Sequence, residues 1–179
     1  DEFGNSVSLS GDLLAVGAYE ADSGEHNDTG ATYLYRVEGN GNATFLAKVI
    51  APDGAEDDEF GTSVSLSGDL LAVGAEEADV GEHNDTGATY LYHVESNGST
   101  TFLSKVMAPD AVGDDYFGTS VSLSGNLLAV GTDEAHVGDL TDAGATYLYR
   151  VETNGSVSYL AKVTAPDAEE EDEFGVSVS

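Results

Sequence analysis

The sequence predicts an all-β fold of four-stranded antiparallel sheets repeated radially, the arithmetic of β-propeller blades. Three observations predict it. The string Asp-Glu-Phe-Gly, once Asp-Tyr-Phe-Gly, begins at Asp1, Asp58, Asp115 and Asp172, so the 179 residues hold three copies of a 57-residue unit and the start of a fourth. Self-similarity at such a period signals stacked supersecondary units. Each copy contains four short apolar segments separated by turn signals, and no segment carries a helical stripe. The repeats are assigned as 1–57, 58–114 and 115–171, with 172–179 opening a fourth repeat at its first strand.

The first copy shows the elements in order. Ser6–Ser10 (SVSLS) and Leu13–Ala18 (LLAVGA) are short and β-rich, and Gly11-Asp12 between them is a two-residue hairpin signal. Ala31–Glu38 alternates Ala31, Tyr33, Tyr35 and Val37 against Thr32, Leu34, Arg36 and Glu38, a period of two. Thr44–Ile50 supplies the fourth strand after the turn Gly39–Asn42. The links Tyr19–Gly30 and Ala51–Asp58 are longer and acidic. Leu34 opposes Tyr33 and Tyr35 across the third strand, so both faces need a neighbour, at about 1.5–3 kcal/mol per fully buried side chain. A linear array of small sheets is the competing architecture.

Charge narrows the function. Asp and Glu total 34 against 5 Lys and Arg, a formal net charge of −29, which makes nucleic-acid backbones and anionic lipid surfaces improbable partners. There is no Cys, hence no disulfide framework and no thiolate zinc site. No apolar run approaches the roughly 20 residues that span a bilayer, so membrane insertion is not expected. Without an initiator Met or signal peptide, the chain reads as an excerpt of a longer or processed one. Antiparallel order sends Asp12, Asp69, Glu38, Glu95 and Glu152 to the tight-turn end and every other carboxylate to the long-loop end. One anionic face is therefore expected, with high-salt adaptation or cation binding as its two explanations.

The strings FGNSVSLSGDLLAVGA, FGTSVSLSGDLLAVGA and FGTSVSLSGNLLAVGT, each followed by GATYLY, resemble FG-GAP repeats, the blades of the integrin α-subunit propeller and of bacterial relatives. The Phe-Gly pairs are Phe3-Gly4, Phe60-Gly61, Phe117-Gly118 and Phe174-Gly175; Gly17-Ala18, Gly74-Ala75 and Gly131-Thr132 follow the second strands. The proline of GAP is replaced by Tyr19, Glu76 and Asp133. The resemblance implies an extracellular or cell-surface setting and a role in adhesion or ligand binding. It also implies a calcium loop of the form DxDxDG between strands one and two, but only Ser-Gly-Asp or Ser-Gly-Asn stands there, so that site is expected to be missing.

A substitute calcium site would use hard oxygen ligands. The candidates are Glu20, Asp22, Glu25, Asn27 and Asp28, repeated as Glu77, Asp79, Glu82, Asn84 and Asp85. The third copy keeps Asp139 and Asp142 but has His136 for Asp22 and Thr141 for Asn27. The inter-repeat links offer a second set, Asp53, Asp57 and Asp58 with Asp110, Asp114 and Asp115. His26 and His83 read as solvated loop residues, because Leu140 replaces them in the third copy. Glycosylation acceptors of the form Asn-x-Ser/Thr occur at Asn27, Asn42, Asn84, Asn97 and Asn154.

No GxSxG elbow, recurring histidine or phosphate-binding loop is present, so no catalytic residue is assigned and no enzyme is expected. Two function classes lead. One is a non-enzymatic extracellular propeller binding a protein or carbohydrate ligand through the acidic loop face. The other is a structural subunit of a filament or surface layer, self-assembled with further repeats; three blades alone are too few for a ring.

Overall fold

The computed structural model describes residues 1–23 and 26–179. It contains three antiparallel four-stranded sheets, in the orders β1-β2-β3-β4, β5-β6-β7-β8 and β12-β11-β10-β9. The first is β1 (Val7–Ser10), β2 (Leu13–Ala18), β3 (Ala31–Val37) and β4 (Ala43–Val49). The second is β5 (Val64–Ser67), β6 (Leu70–Ala75), β7 (Ala88–Val94) and β8 (Thr100–Val106). The third is β9 (Ser120–Ser124), β10 (Leu127–Thr132), β11 (Ala145–Val151) and β12 (Val157–Val163). Strand limits in the first copy agree with the sequence reading to within one residue. The hairpin at Gly11-Asp12 is as tight as expected, since Ser10 pairs with Leu13. It leaves no loop in which an ion could be wrapped.

Each third-to-fourth strand pair carries a register shift at the same place, Leu34/Tyr35, Leu91/Tyr92 and Leu148/Tyr149. Such a bulge locally increases the twist of the outer strands. The core lies between sheets. Leu13, Ala15, Leu34 and Val49 of the first sheet pack with Phe60, Val64, Leu66, Tyr90 and Tyr92 of the second. The same positions one repeat on, Leu91 and Val106 with Phe117, Val121, Leu123, Tyr147 and Tyr149, form the second seam. Every sheet thus has a trailing face, built on Leu34 and its equivalents, and a leading face, built on the two tyrosines.

Candidate functional site

The Phe-Gly pair is the joint between sheets. Phe60 N–H donates to Thr29 O of the preceding repeat (3.0 Å), while its ring packs edge-on against Tyr90 and Tyr92 of its own sheet, with centroids 5.5 and 6.1 Å away. Phe117 repeats this with Thr86 O (3.0 Å), Tyr147 and Tyr149. Gly61 (φ 105°) donates to Gly74 O at 2.8 Å, and its own carbonyl lies where a Cβ on Gly17 would stand. The Phe-Gly and Gly-Ala signatures are therefore two halves of one contact, a backbone-on-backbone approach that tolerates only hydrogen at Gly17, Gly74 and Gly131.

Serines pin the seam further along. Ser6, Ser63 and Ser120 donate through Oγ to the carbonyls of Gly61, Gly118 and Gly175, at 2.7, 2.6 and 2.7 Å. Ser8 and Ser10 Oγ accept from the N–H groups of Leu66 (2.9 Å) and Gly68 (3.0 Å). Ser65 and Ser67 do the same for Leu123 and Gly125, both at 2.9 Å. Sequence reasoning identified SVSLS as a strand and assigned its serines no role; their recurrence at every second position was the available signal.

At the long-loop end, the link that leaves a repeat, with the first residues of the next, meets that repeat's own β2–β3 loop. Asp57 and Glu59 N–H groups donate to the carbonyls of Asn27 (3.3 Å) and Asp28 (3.1 Å). The proposed calcium residues divide in use. Asp22 and Asp79 close their own loops, accepting from the N–H of Asp28 (3.3 Å) and Asp85 (3.1 Å). Asp28, Asp85 and Asp142 all adopt positive φ. Glu20 and Glu77 are half-buried, Glu82 and Asp139 are exposed, and Glu25 lies outside the described residues. Among the described residues no three carboxylate or imidazole side chains converge as a metal-binding group.

Four of the six side chains in the second acidic set already have partners. Asp58 and Asp115 are buried and cap their own links, accepting from Ala55 N–H (2.7 Å) and Val112 N–H (2.8 Å); burial raises both carboxyls above the usual range. Asp53 and Asp110 pair with Lys105 and Lys162, each at 2.9 Å. Tyr147 Oη also donates to Asp110 (2.8 Å). Burial opposes ionisation of Asp110, but these two hydrogen bonds prevail and hold its carboxyl below the ordinary value. The lysines sit over the tyrosines as well, Lys48 on Tyr33 (5.6 Å), Lys105 on Tyr90 (5.1 Å) and Lys162 on Tyr147 (5.1 Å). Among the described residues no cation pairs with Glu59, which burial and then Glu77, Glu76, Glu20 and Asp28 push up to about 7.

All five sequon asparagines are exposed. Asn97 and Asn154 Oδ1 accept from Ser99 N–H (2.9 Å) and Ser156 N–H (3.0 Å), and Asn27 donates to Glu56 Oε1 (3.1 Å). The loop histidines sit at small hairpin tips, where Ser23 pairs with His26 and Val80 with His83 through the backbone. Leu140 pairs with Val137 identically, so the geometry does not require an imidazole.

Repeated sheets joined through such seams define a propeller-type repeat protein. The family model described as FG-GAP repeat matches residues 1–35, 44–92 and 100–149, and the chain belongs to that family. It is 34% identical over 140 residues to integrin alpha-7 of Rattus norvegicus, a match covering 76% of this chain and 12% of the relative. Integrin alpha-6 of Gallus gallus is 28% identical over 138 residues, covering 76% and 13%. The chain thus spans only about an eighth of these relatives. A crystal structure of a protein from Lactobacillus plantarum is similar in fold, with TM-score 0.58 and 19% identity over 92% of this chain and 42% of that one. Sqt1 of Saccharomyces cerevisiae gives 0.56 and 10%, over 94% and 36%. Sqt1 of Chaetomium thermophilum gives 0.57 and 14%, over 97% and 40%.

Proposed function

We propose that this chain is part of a non-enzymatic, extracellular propeller that binds a protein or carbohydrate ligand at the long-loop end of its sheets. Its building units are the repeats 1–57, 58–114 and 115–171, with 172–179 opening the next. The observation that carries this reading is the group of carboxylates at the seam, Glu59 with Glu77, Glu76, Glu20 and Asp28, which among the described residues meets no lysine or arginine and only the N-terminal ammonium, 3.8 Å from Glu20. A site so charged favours a ligand with a cationic face and speeds its encounter. The adhesive and cell-surface setting is carried over from the likeness to integrin alpha-7 and alpha-6.

Calcium at Glu20, Asp22, Glu25 and Asp28, at Glu77, Asp79, Glu82 and Asp85, and at Asp139 and Asp142 is proposed on charge alone. The described side chains do not fit an ion cage as they stand, because Asp22 and Asp79 are turned to their own backbone. Titration calorimetry decides it: heat of uptake with a raised Tm supports the proposal, and neither effect at millimolar calcium rejects it. Glycans at Asn27, Asn42, Asn84, Asn97 and Asn154 would show as mass removed by a glycosidase from the secreted protein.

Ligand binding is tested by interferometry of the immobilised chain against polylysine and a panel of neutral glycans, at about 0.15 M and 1 M salt. Saturable binding that the triple variant Glu59→Gln, Glu76→Gln, Glu77→Gln weakens at least tenfold supports the reading. Binding indifferent to the triple variant sinks it.

A further inference from the structure

The seam between the first and second sheets and the seam between the second and third differ at one cation. Arg36 spans the first seam at the tight-turn end. Its Nε stands 3.3 Å from Asp12 of its own sheet, and Nη2 donates to the Ser96 carbonyl in the β7–β8 turn of the next. One repeat on, the counterpart of Arg36 is His93. Nδ1 and Nε2 of that imidazole stand 3.5 Å from Asp69 and 3.3 Å from Glu95, both of its own sheet, so the reach across the second seam is not made.

The acceptors that an arginine would meet there are nevertheless in place. Asp69 holds its hairpin as Asp12 does, its carbonyl accepting from Val94 N–H at 2.8 Å where that of Asp12 accepts from Val37 N–H at 2.7 Å. The β11–β12 turn repeats the β7–β8 turn: Glu152 N–H donates to Ser156 O, and Glu95 N–H to Ser99 O, both at 2.8 Å. Thr153 therefore stands against the second sheet as Ser96 stands against the first. Among the described residues no group donates to the Thr153 carbonyl.

Both seams have a hollow at this end, and they differ in what lies at the bottom. Arg36 lines the first, with Asp12 and Ser96. In the second, of about 490 Å³, the shorter histidine uncovers Leu103 and Gly155, whose counterparts Leu46 and Gly98 do not line the first. Its walls carry two chemistries, Asp69, Glu152 and Thr153 on the polar side and Leu70, Leu103 and Val151 on the apolar one. We propose that the second hollow binds the side chain of an arginine in a partner peptide, seated as Arg36 is seated in the first. A guanidinium is a planar fork whose donors meet a carboxylate and a carbonyl together, and its aliphatic stem lies along apolar surface. An ammonium is a point charge without that fork, so lysine fits less well. Free arginine would bring its own carboxylate beside Glu152 and into the field of a chain of −29, which favours an arginine whose ends are amide-linked.

The test is an amide NMR titration of the full chain with N-acetyl-arginine amide, its lysine analogue and free arginine, at about 0.15 M salt. Saturable shifts are expected at Leu70, His93 and residues 153–155, and not at residues 96–98 of the first seam. His93→Arg puts the chain's own guanidinium in the place and should weaken binding at least about tenfold, as should Asp69→Asn. Arg36→His should open an equal site at the first seam and bring residues 96–98 into the titration. The lysine analogue and free arginine should each bind at least about fivefold more weakly. The triple variant Glu59→Gln, Glu76→Gln, Glu77→Gln alters the long-loop end and should leave this binding unchanged, which separates the two sites. Amide dispersion in each spectrum shows that the variant is folded. Shifts spread over the long-loop carboxylates, undiminished binding to His93→Arg, or a lysine analogue that binds as tightly overturns the proposal, and free arginine binding as tightly overturns the peptide as its source.

Discussion

Phe3, Phe60 and Phe117 occupy the same motif position and make the same intrasheet contacts, so truncating each in turn measures the seam. Phe3 packs on Tyr33 and Tyr35 at 5.4 and 6.4 Å, much as Phe60 packs on Tyr90 and Tyr92 at 5.5 and 6.1 Å. The difference is the preceding sheet, which leaves Phe60 and Phe117 0% exposed and Phe3 55%. A buried Phe→Ala change removes transfer energy and leaves a cavity, about 3–5 kcal/mol together. Phe3→Ala forfeits mainly the edge-on ring contacts, about 1 kcal/mol. For a chain of this length, Phe60→Ala and Phe117→Ala should lower Tm by roughly 6–20 °C, and Phe3→Ala by about 2–4 °C. Urea melts followed by far-ultraviolet dichroism and tyrosine fluorescence also show whether the repeats unfold together. Equal losses at all three positions would mean that the tyrosines, not the neighbouring sheet, hold the phenylalanine, and the account of the seam would be wrong.

The serines allow the same internal comparison: Ser65→Ala removes the acceptor for Leu123 N–H and should cost about 1–3 kcal/mol in urea melts, while Ser122→Ala, on the open trailing face of the third sheet, should stay within about 0.5 kcal/mol. Gly74→Ala sets a Cβ against the Gly118 carbonyl and Ser63 Oγ, so a loss of about 3 kcal/mol is expected, read as a shift in the urea midpoint. Glu59 gives a pH signature. Its carboxyl is raised in the folded state from 4.5 to about 7, so the folded chain binds the extra proton and stability falls as pH climbs through that window. Glu59→Gln should flatten that slope and be the more stable form at pH 8 by about 1 kcal/mol, after discounting for solvent screening, with urea midpoints at pH 5 and pH 8 as the check.

Strands and turns were legible because their signals are local. Alternation at Ala31–Val37 assigned its two faces, and Gly11-Asp12 announced a hairpin. The bulge at Leu34/Tyr35 was not legible, since nothing in ATYLYRV marks where register slips against the fourth strand. Site residues fared differently because their partners lie one repeat away. Asp53 and Asp58 looked alike as loop carboxylates, yet one pairs with Lys105 and the other caps Ala55. Only the path of the chain between sheets separates them. Lys48, Lys105 and Lys162 were visible as recurring cations in a chain with five, but the aspartates of Lys105 and Lys162 precede them by 52 residues in sequence.

The distribution of those five cations explains how a chain of −29 can fold at all. Three are strand-four lysines, and Lys105 and Lys162 each close an ion pair across a seam. Arg36 bonds to Asp12 within its sheet (3.3 Å) and to the Ser96 carbonyl of the next. Three of the five cations thus stand where sheets meet, and the two lysines face partly buried carboxylates whose desolvation would otherwise oppose packing. The carboxylates around Glu59 receive none of it and repel one another on the same seam. Adding a lysine there would relieve that repulsion, but it would also remove the anionic character on which the proposed ligand site rests. The imbalance follows from keeping cations for the joints, and the repulsion around Glu59 is what that placement leaves uncompensated.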